Sequence, residues 1–255
     1  MYRMIIRKTP EQVEKMAAAG DVLVRCLKML ESKARAGVTT GELDAAAEKF
    51  IRSQDATPAF KGYRGFPGSI CASPNSMVVH GIPGPYELAR GDVLSIDVGV
   101  VKDGWVADAA MTVPVGEVGE EATKLLDLTK SSLFSGVEQM RAGNHLGDVS
   151  AAIQRTVEAE GMAIIRTLVG HGIGREMHEE PQVPNFGEPG KGPELEEGMV
   201  LAIEPMVNVG GPLVRMGDDG WSVFSEDDSL AAHFEFTVAV TADGPRILTP
   251  WHEAD

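Results

Sequence analysis

The sequence predicts an α+β fold made of two related halves that share one core, and two observations predict it. The first is an internal repeat. Arg35–Ala47 recurs as Arg141–Ile153 at an offset of 106, with six of thirteen positions identical. Glu87–Asp97 recurs as Glu194–Glu204 at an offset of 107, with six of eleven identical and an acid at the last position of both copies. A looser echo places His80 and Pro83 in one half against His178 and Pro181 in the other. Three matches in the same order mark a duplicated unit. The second observation is the order of elements, which reads helix, helix, strands in each half.

Taken in order, Thr9 caps a first helix, with Pro10 at its first position and Gln12 completing a capping box. Val13, Met16, Ala17, Val24, Leu27 and Leu30 recur at helical spacing, and Gly37 is the expected stop. Thr39 followed by Glu42 opens a second helix that turns Leu43, Ala46, Ala47, Phe50 and Ile51 inward. A β-type run, Val93–Val101, is followed by Lys102-Asp103-Gly104, the chemistry of a tight hairpin turn, and by a returning strand, Trp105–Val113. The second half repeats the scheme with a helix ending near Gly143, another over about 147–160, and strands at Met199–Val209 and His233–Val238. No Gly/Ser-rich linker separates the halves. Residues 1–255 are therefore expected to form a single domain with pseudo-repeats at about 9–115 and 120–245.

Composition narrows the function. The chain is 43% hydrophobic and 24% charged, as in ordinary globular domains, and no apolar run reaches the length needed to span a bilayer. Met1–Lys8 lacks the apolar core and small-residue cleavage site of a signal peptide. Two cysteines, Cys26 and Cys71, make no disulfide framework, so the expected compartment is the reducing cytoplasm. The net charge of −15 opposes general affinity for nucleic acid.

The chemistry lies in the acidic strands. Asp97 interrupts the apolar run Val93–Val101, where a carboxylate is costly unless it is paired or holds a cation. The hairpin brings Asp108 back beside it, opposite or diagonal, and two like charges so close call for something positive between them. Glu204 follows Val200–Ile203, and Glu235 lies in His233–Val238, so the second half again supplies two acids. Four inward carboxylates exceed the charge of one divalent ion, and two metals are the natural inference. His171, between Gly170 and Gly172, offers a nitrogen on a backbone free to approach the site closely. One imidazole among four carboxylates is too oxygen-rich for structural zinc and suits exchangeable Mn, Fe, Co or Zn.

These residues resemble the type I methionine aminopeptidases of the pita-bread fold. The likeness is carried by Asn75–Pro83, Asp97–Thr112, the Gly-His-Gly-Ile-Gly-Arg segment running on from Gly170 to Asn185, Ile203–Met206 and Phe234–Thr237. It extends almost end to end, without a zinc-finger extension, as in bacterial single-domain members. The resemblance implies two pseudo-twofold-related halves sharing a curved antiparallel sheet with helices outside. It implies that Asp97 chelates one metal, that Asp108 and Glu235 bridge both, and that His171 and Glu204 complete the other. It places His80 and His178 beside the substrate and makes Glu204 the proton shuttle between the attacking water and the leaving amine. The methionine pocket would fall on Phe60, Tyr63, Phe66, Cys71, Met177 and Trp221. Nascent polypeptide N-termini are the implied substrates, near the ribosome, with a monomer as the default and neither nucleic acid nor membrane as partner.

A small second residue is the implied preference, so the chain's own Met1–Tyr2 bond is expected to survive. Ser76, Phe60 and Phe236 depart from the family pattern; Phe60 would reshape the methionine pocket. Two alternatives share the fold: an Xaa-Pro aminopeptidase or creatinase-like hydrolase, and an inactive binding protein that has lost its ligands.

Overall fold

Helix formation begins where the sequence provides a cap. Thr9 Oγ1 accepts from the Gln12 amide at 3.3 Å while Gln12 Oε1 accepts from the Thr9 amide at 3.0 Å, closing the capping box of α1 (Pro10–Lys33). Thr39 and Glu42 do the same for α2 (Thr40–Ser53). The structure is a computed structural model describing residues 4–253; the expectation for the Met1–Tyr2 bond falls outside the described residues.

The first half continues with β1 (Thr57–Pro58), a 3₁₀ turn at Tyr63–Gly65, β2 (Cys71–Pro74), β3 (Met77–Val79) and a long hairpin of β4 (Val93–Lys102) and β5 (Trp105–Pro114). The hairpin turns through Asp103 and Gly104, both at positive φ. The second half holds α3 (Glu120–Val137), α4 (Leu146–Glu158), β6 (Ala163–Ile164), β7 (Val169–Gly172) and β8 (Glu179–Pro184). It ends with β9 (Val200–Ile203), β10 (Met206–Asn208), β11 (Val214–Met216), β12 (Val223–Ser225), β13 (Ala231–His233), β14 (Phe236–Thr241) and β15 (Gly244–Ile247).

Two larger sheets carry the site: β1, β4 and β2 with β5 added to β4, and β15-β14-β9-β7-β8. They meet along a seam between β5 and the segment leading into β14. There the Glu235 amide donates to the Ala110 carbonyl at 2.9 Å. Threonine side chains replace the flanking rungs. Thr112 Oγ1 accepts from the His233 amide and donates to the His233 carbonyl, both at 2.9 Å. Thr237 Oγ1 does the same for Asp108, accepting at 3.1 Å and donating at 2.7 Å. The four helices lie outside, with α1 against β4 and β5 and α3 against β9, β10 and β13. Leu23, Leu27 and Leu30 of α1, Ile96 of β4, Leu125 of α3 and Phe236 of β14 join one fully buried core. The pita-bread architecture expected from the resemblance is the one found.

The duplicated segments make the same bonds. Gly37 N–H donates to Leu88 and Gly143 N–H to Leu195, both at 2.9 Å, and Thr39–Glu87 and His145–Glu194 form matching isolated bridges. Val115 and Val240 each accept from a turn glycine, Gly91 or Gly198, and donate to the residue after it. Gly37 thus closes the turn of the repeat rather than the helix, which ends at Lys33; α3 likewise stops at Val137, well before Gly143.

Two expected strands are broken. Pro205, lacking an N–H, splits Met199–Val209 into β9 and β10 and leaves Glu204 in the gap. Phe234 and Glu235 lie in a second gap, between β13 and β14. Both glutamates therefore stand where the ladder opens, whereas Asp97 and Asp108 sit in unbroken strands.

Candidate active site

Register places the acids. In the β4–β5 hairpin Asp97 is opposite Ala110 and Asp108 opposite Gly99, so the two aspartates are diagonal neighbours on one face. The strand breaks turn Glu204 and Glu235 to the same space, and β7 brings His171 opposite Ala202. Asp108, His171 and Glu235 present ligand atoms within 4.8 Å of one another. Glu204 adjoins this group, its Oε1 3.6 Å from His171 Nε2, and Asp97 adjoins it through a hydrogen bond with Asp108.

The seam also corrects the symmetry suggested by two acids in each half. Thr112 and Thr237 make corresponding bonds, so the twofold partner of Asp108 is His233, and that of Glu235 is Ala110. The His-x-x-Pro echo is not a register match either. Ser73 pairs with Ser95 where His171 pairs with Ala202, so His80 corresponds to the position of Gln182 rather than to His178.

The electrostatics are those of a site awaiting positive charge. Burial pushes the Asp97 carboxyl up to about 7, opposed by its bond with Asp108. Burial first, then neighbouring carboxylates, pushes Asp108, Glu204 and Glu235 well above the ordinary carboxylate range. The imidazoles go the other way. Burial lowers His171 to about 4 and, aided by His171, Arg64 and His80, lowers His178 to about 3. Asp97 Oδ1, Asp108 Oδ1 and Glu235 Oε1 are buried with no hydrogen-bond partner. Unpartnered oxygens converging beside a neutral imidazole are the donor set of a divalent cation. His171 is oriented for the role, since its Nδ1 bonds the Gly172 carbonyl at 2.9 Å and leaves Nε2 toward the acids.

Every site residue named from the sequence lines a single cavity of about 200 Å³: the four acids and the His171 imidazole, His80 and His178, and Phe60, Tyr63, Phe66, Cys71, Met177 and Trp221. Phe66 meets Trp221 edge to face, with ring centroids 5.1 Å apart. Tyr63 stacks on His178, and its hydroxyl lies 2.8 Å from His178 Nδ1. Phe60 and Met177 close over Gly99, where a Cβ would meet them at 2.7 and 2.8 Å. Cys71 lies opposite Asp97, and burial followed by that carboxylate pushes its thiol well up, keeping it protonated.

Sequence reasoning missed Arg64, Val79, Leu168, Val169, Met206 and above all His233, which also line the cavity. His233 reads from sequence as one polar residue in an apolar run; only the 121-residue reach of its bond to Thr112 locates it. Phe236, an expected departure near the site, faces the other way, stacked on Trp251 at 4.7 Å and edge to face with Phe134.

The turn carrying His178 is tethered from the N-terminus. Lys8 Nζ donates to Glu179 Oε2 at 2.6 Å, with side chains only 2% and 5% exposed. Glu179 Oε1 accepts from the amides of Arg175 at 2.8 Å and Glu176 at 3.3 Å. Gly174 leaves room for this pair; a Cβ there would lie 2.5 Å from Lys8 Cε.

Comparison with known proteins agrees with this geometry. Residues 14–242 match metallopeptidase family M24. The chain is 52% identical over 246 residues to a methionine aminopeptidase of Clostridium perfringens, covering 96% of this chain and 99% of that one. It is 47% identical to methionine aminopeptidase 1 of Bacillus subtilis, with the same coverage. The crystal structure of a Thermotoga maritima methionine aminopeptidase superposes with a TM-score of 0.95 at 42% identity, covering 96% of this chain and 99% of that one. A Pyrococcus furiosus prolidase shares the fold, with a TM-score of 0.78 at 22% identity over 98% of this chain and 66% of its own. Fold, donor set and full-length likeness converge: the chain belongs to metallopeptidase family M24 and, within it, to the methionine aminopeptidases.

Proposed function

We propose that the protein hydrolyses the N-terminal methionine from polypeptides, nascent chains in the cytoplasm included, with preference for a small second residue. One observation carries the reading. The unpartnered acids with His171 and the apolar recess of Phe60, Phe66, Cys71, Met177 and Trp221 open on the same cavity. A thioether suits that recess, because sulfur packs favourably against aromatic edges.

Asp97, Asp108, His171, Glu204 and Glu235 would hold two divalent cations of the Mn, Fe, Co or Zn type. When bound, such cations supply Lewis acidity that readies water for attack near neutral pH. Glu204 takes the proton of the attacking water and returns it to the leaving amine nitrogen. In this reading the Tyr63 hydroxyl donates a hydrogen bond to His178 Nδ1, 2.8 Å away, which fixes the tautomer in which Nε2–H points onward as a donor. His178 and His80 then stabilise the negative charge that develops on the peptide carbonyl oxygen.

The test is turnover of Met-Ala-Xaa peptides by protein stripped with chelator and reloaded anaerobically with Fe, Mn, Co or Zn. Activity should vanish on stripping, return on reloading and be absent toward Xaa-Pro substrates. Activity that survives both chelation and Asp97→Ala would refute the reading.

A further inference from the structure

His233 is a second buried imidazole at the acidic cluster, and no hydrogen bond among the described residues satisfies its ring. Its side chain is 3% exposed, and neither Nδ1 nor Nε2 has a hydrogen-bond partner. The Thr112 bonds to both its amide and its carbonyl fix its backbone at the seam, beside the acids. The register gives it the position that Asp108 occupies in the first half, and its ring correspondingly faces the acids.

The two imidazoles flank Glu204 differently. His171 Nε2 lies 3.6 Å from Oε1, whereas His233 Nε2 lies 3.8 Å from Oε2 and 3.9 Å from Oε2 of Glu235. His171 has its Nδ1 engaged by a carbonyl and so offers a lone pair at Nε2. His233 has no such partner, and it faces oxygens that become pure acceptors once a cation holds them ionised. A lone pair directed there would be repelled; an N–H would be attracted.

We propose that His233 is a positioning residue of the metal centre, its Nε2–H donating to Glu204 Oε2 so that Oε1 is held on the His171 side. The proposal rests on the reading of this cluster as a divalent-cation site. The 3.8 Å separation exceeds a hydrogen bond, and a small rotation of either side chain closes it. A carboxylate fixed in this way resembles the outer hydrogen bonds that orient metal ligands elsewhere.

The experiment compares the native chain with His233→Gln, which keeps a side-chain N–H, and His233→Leu, which removes it. Mn(II) is titrated into metal-free protein by calorimetry under anaerobic conditions, and pulsed EPR counts the imidazole nitrogens coordinated to Mn(II). His233→Leu should weaken Mn(II) binding by about 10- to 100-fold. His233→Gln should restore native affinity, with the imidazole count the same in all three proteins. Native affinity in His233→Leu overturns the proposal. So does a His233→Gln as weak as His233→Leu, or the loss of one coordinated imidazole, which would make His233 a ligand. If His233→Leu fails to fold, His233→Met takes its place under the same criteria. Native protein that binds no Mn(II) would instead sink the cation-site reading beneath it.

Discussion

Replacing Lys8 by Met tests whether the tether on the His178 turn holds it in place. The pair is inaccessible from both sides, with a 2.6 Å contact, and burial already lowers the Lys8 ammonium below its ordinary value. Removing one partner of a buried pair costs about 3–5 kcal/mol, because the other charge is left uncompensated. Glu179 would keep its two amide donors from Arg175 and Glu176, which places the expected loss near the lower end, about 3 kcal/mol. That is more than a hundredfold in the folding equilibrium and about 1 M in urea midpoint. Urea unfolding of metal-free Lys8→Met, Glu179→Gln and the double variant measures it, and the double-mutant cycle should show a coupling above 1 kcal/mol. Because Met177 and His178 ride on the same turn, kcat/KM toward Met-Ala-Xaa should fall as well. A loss below about 1 kcal/mol, the cost of a surface pair, would refute the reasoning.

Three other predictions follow from the site. In metal-free protein the Asp97 carboxyl is raised by burial, so its stabilising contribution is full below about pH 4 and is lost as pH rises through about 7. Native metal-free protein should therefore lose stability relative to Asp97→Asn across that window in urea titrations; a pH-independent difference would contradict it. Gly99→Ala should fill the recess under Phe60 and Met177 and raise KM for Met-Ala-Xaa while the acids keep their affinity for Mn(II); unchanged KM would count against the recess as the methionine site. Tyr63→Phe should lower kcat by about tenfold to a hundredfold through loss of the His178 tautomer, with little change in urea midpoint. An unaltered kcat would remove Tyr63 from the mechanism.

Much of this was legible because the physics is local. Asp97 betrays itself as a charge inside an apolar strand, and Asp103-Gly104 turns the chain to bring Asp108 back two residues out of register. The repeat announced the architecture through its turns, since Gly37 and Gly143 need positive φ and Gly91 and Gly198 do likewise. The strand breaks at Glu204 and Glu235 were harder to see, although Pro205 marks the first. His233 was invisible for a different reason: its place depends on a threonine in the other half. The Lys8–Glu179 tether spans 171 residues, and no motif joins its two ends. Long-range pairings of this kind leave no periodic trace.

The seam gives the binding constant a second meaning. Asp97 and Asp108 come from one half and His171, Glu204 and Glu235 from the other; the sheets meet there through two threonine hydroxyls and the Glu235–Ala110 backbone bond, and the halves join again where β3 pairs with β12. A cation held by both sets would therefore add a link between the two halves. A cut in the Gly116–Gly119 connection should yield two fragments that find each other far better in Mn(II) than in chelator. Each half would then act as a conditional reagent for the other, with the ion as the condition.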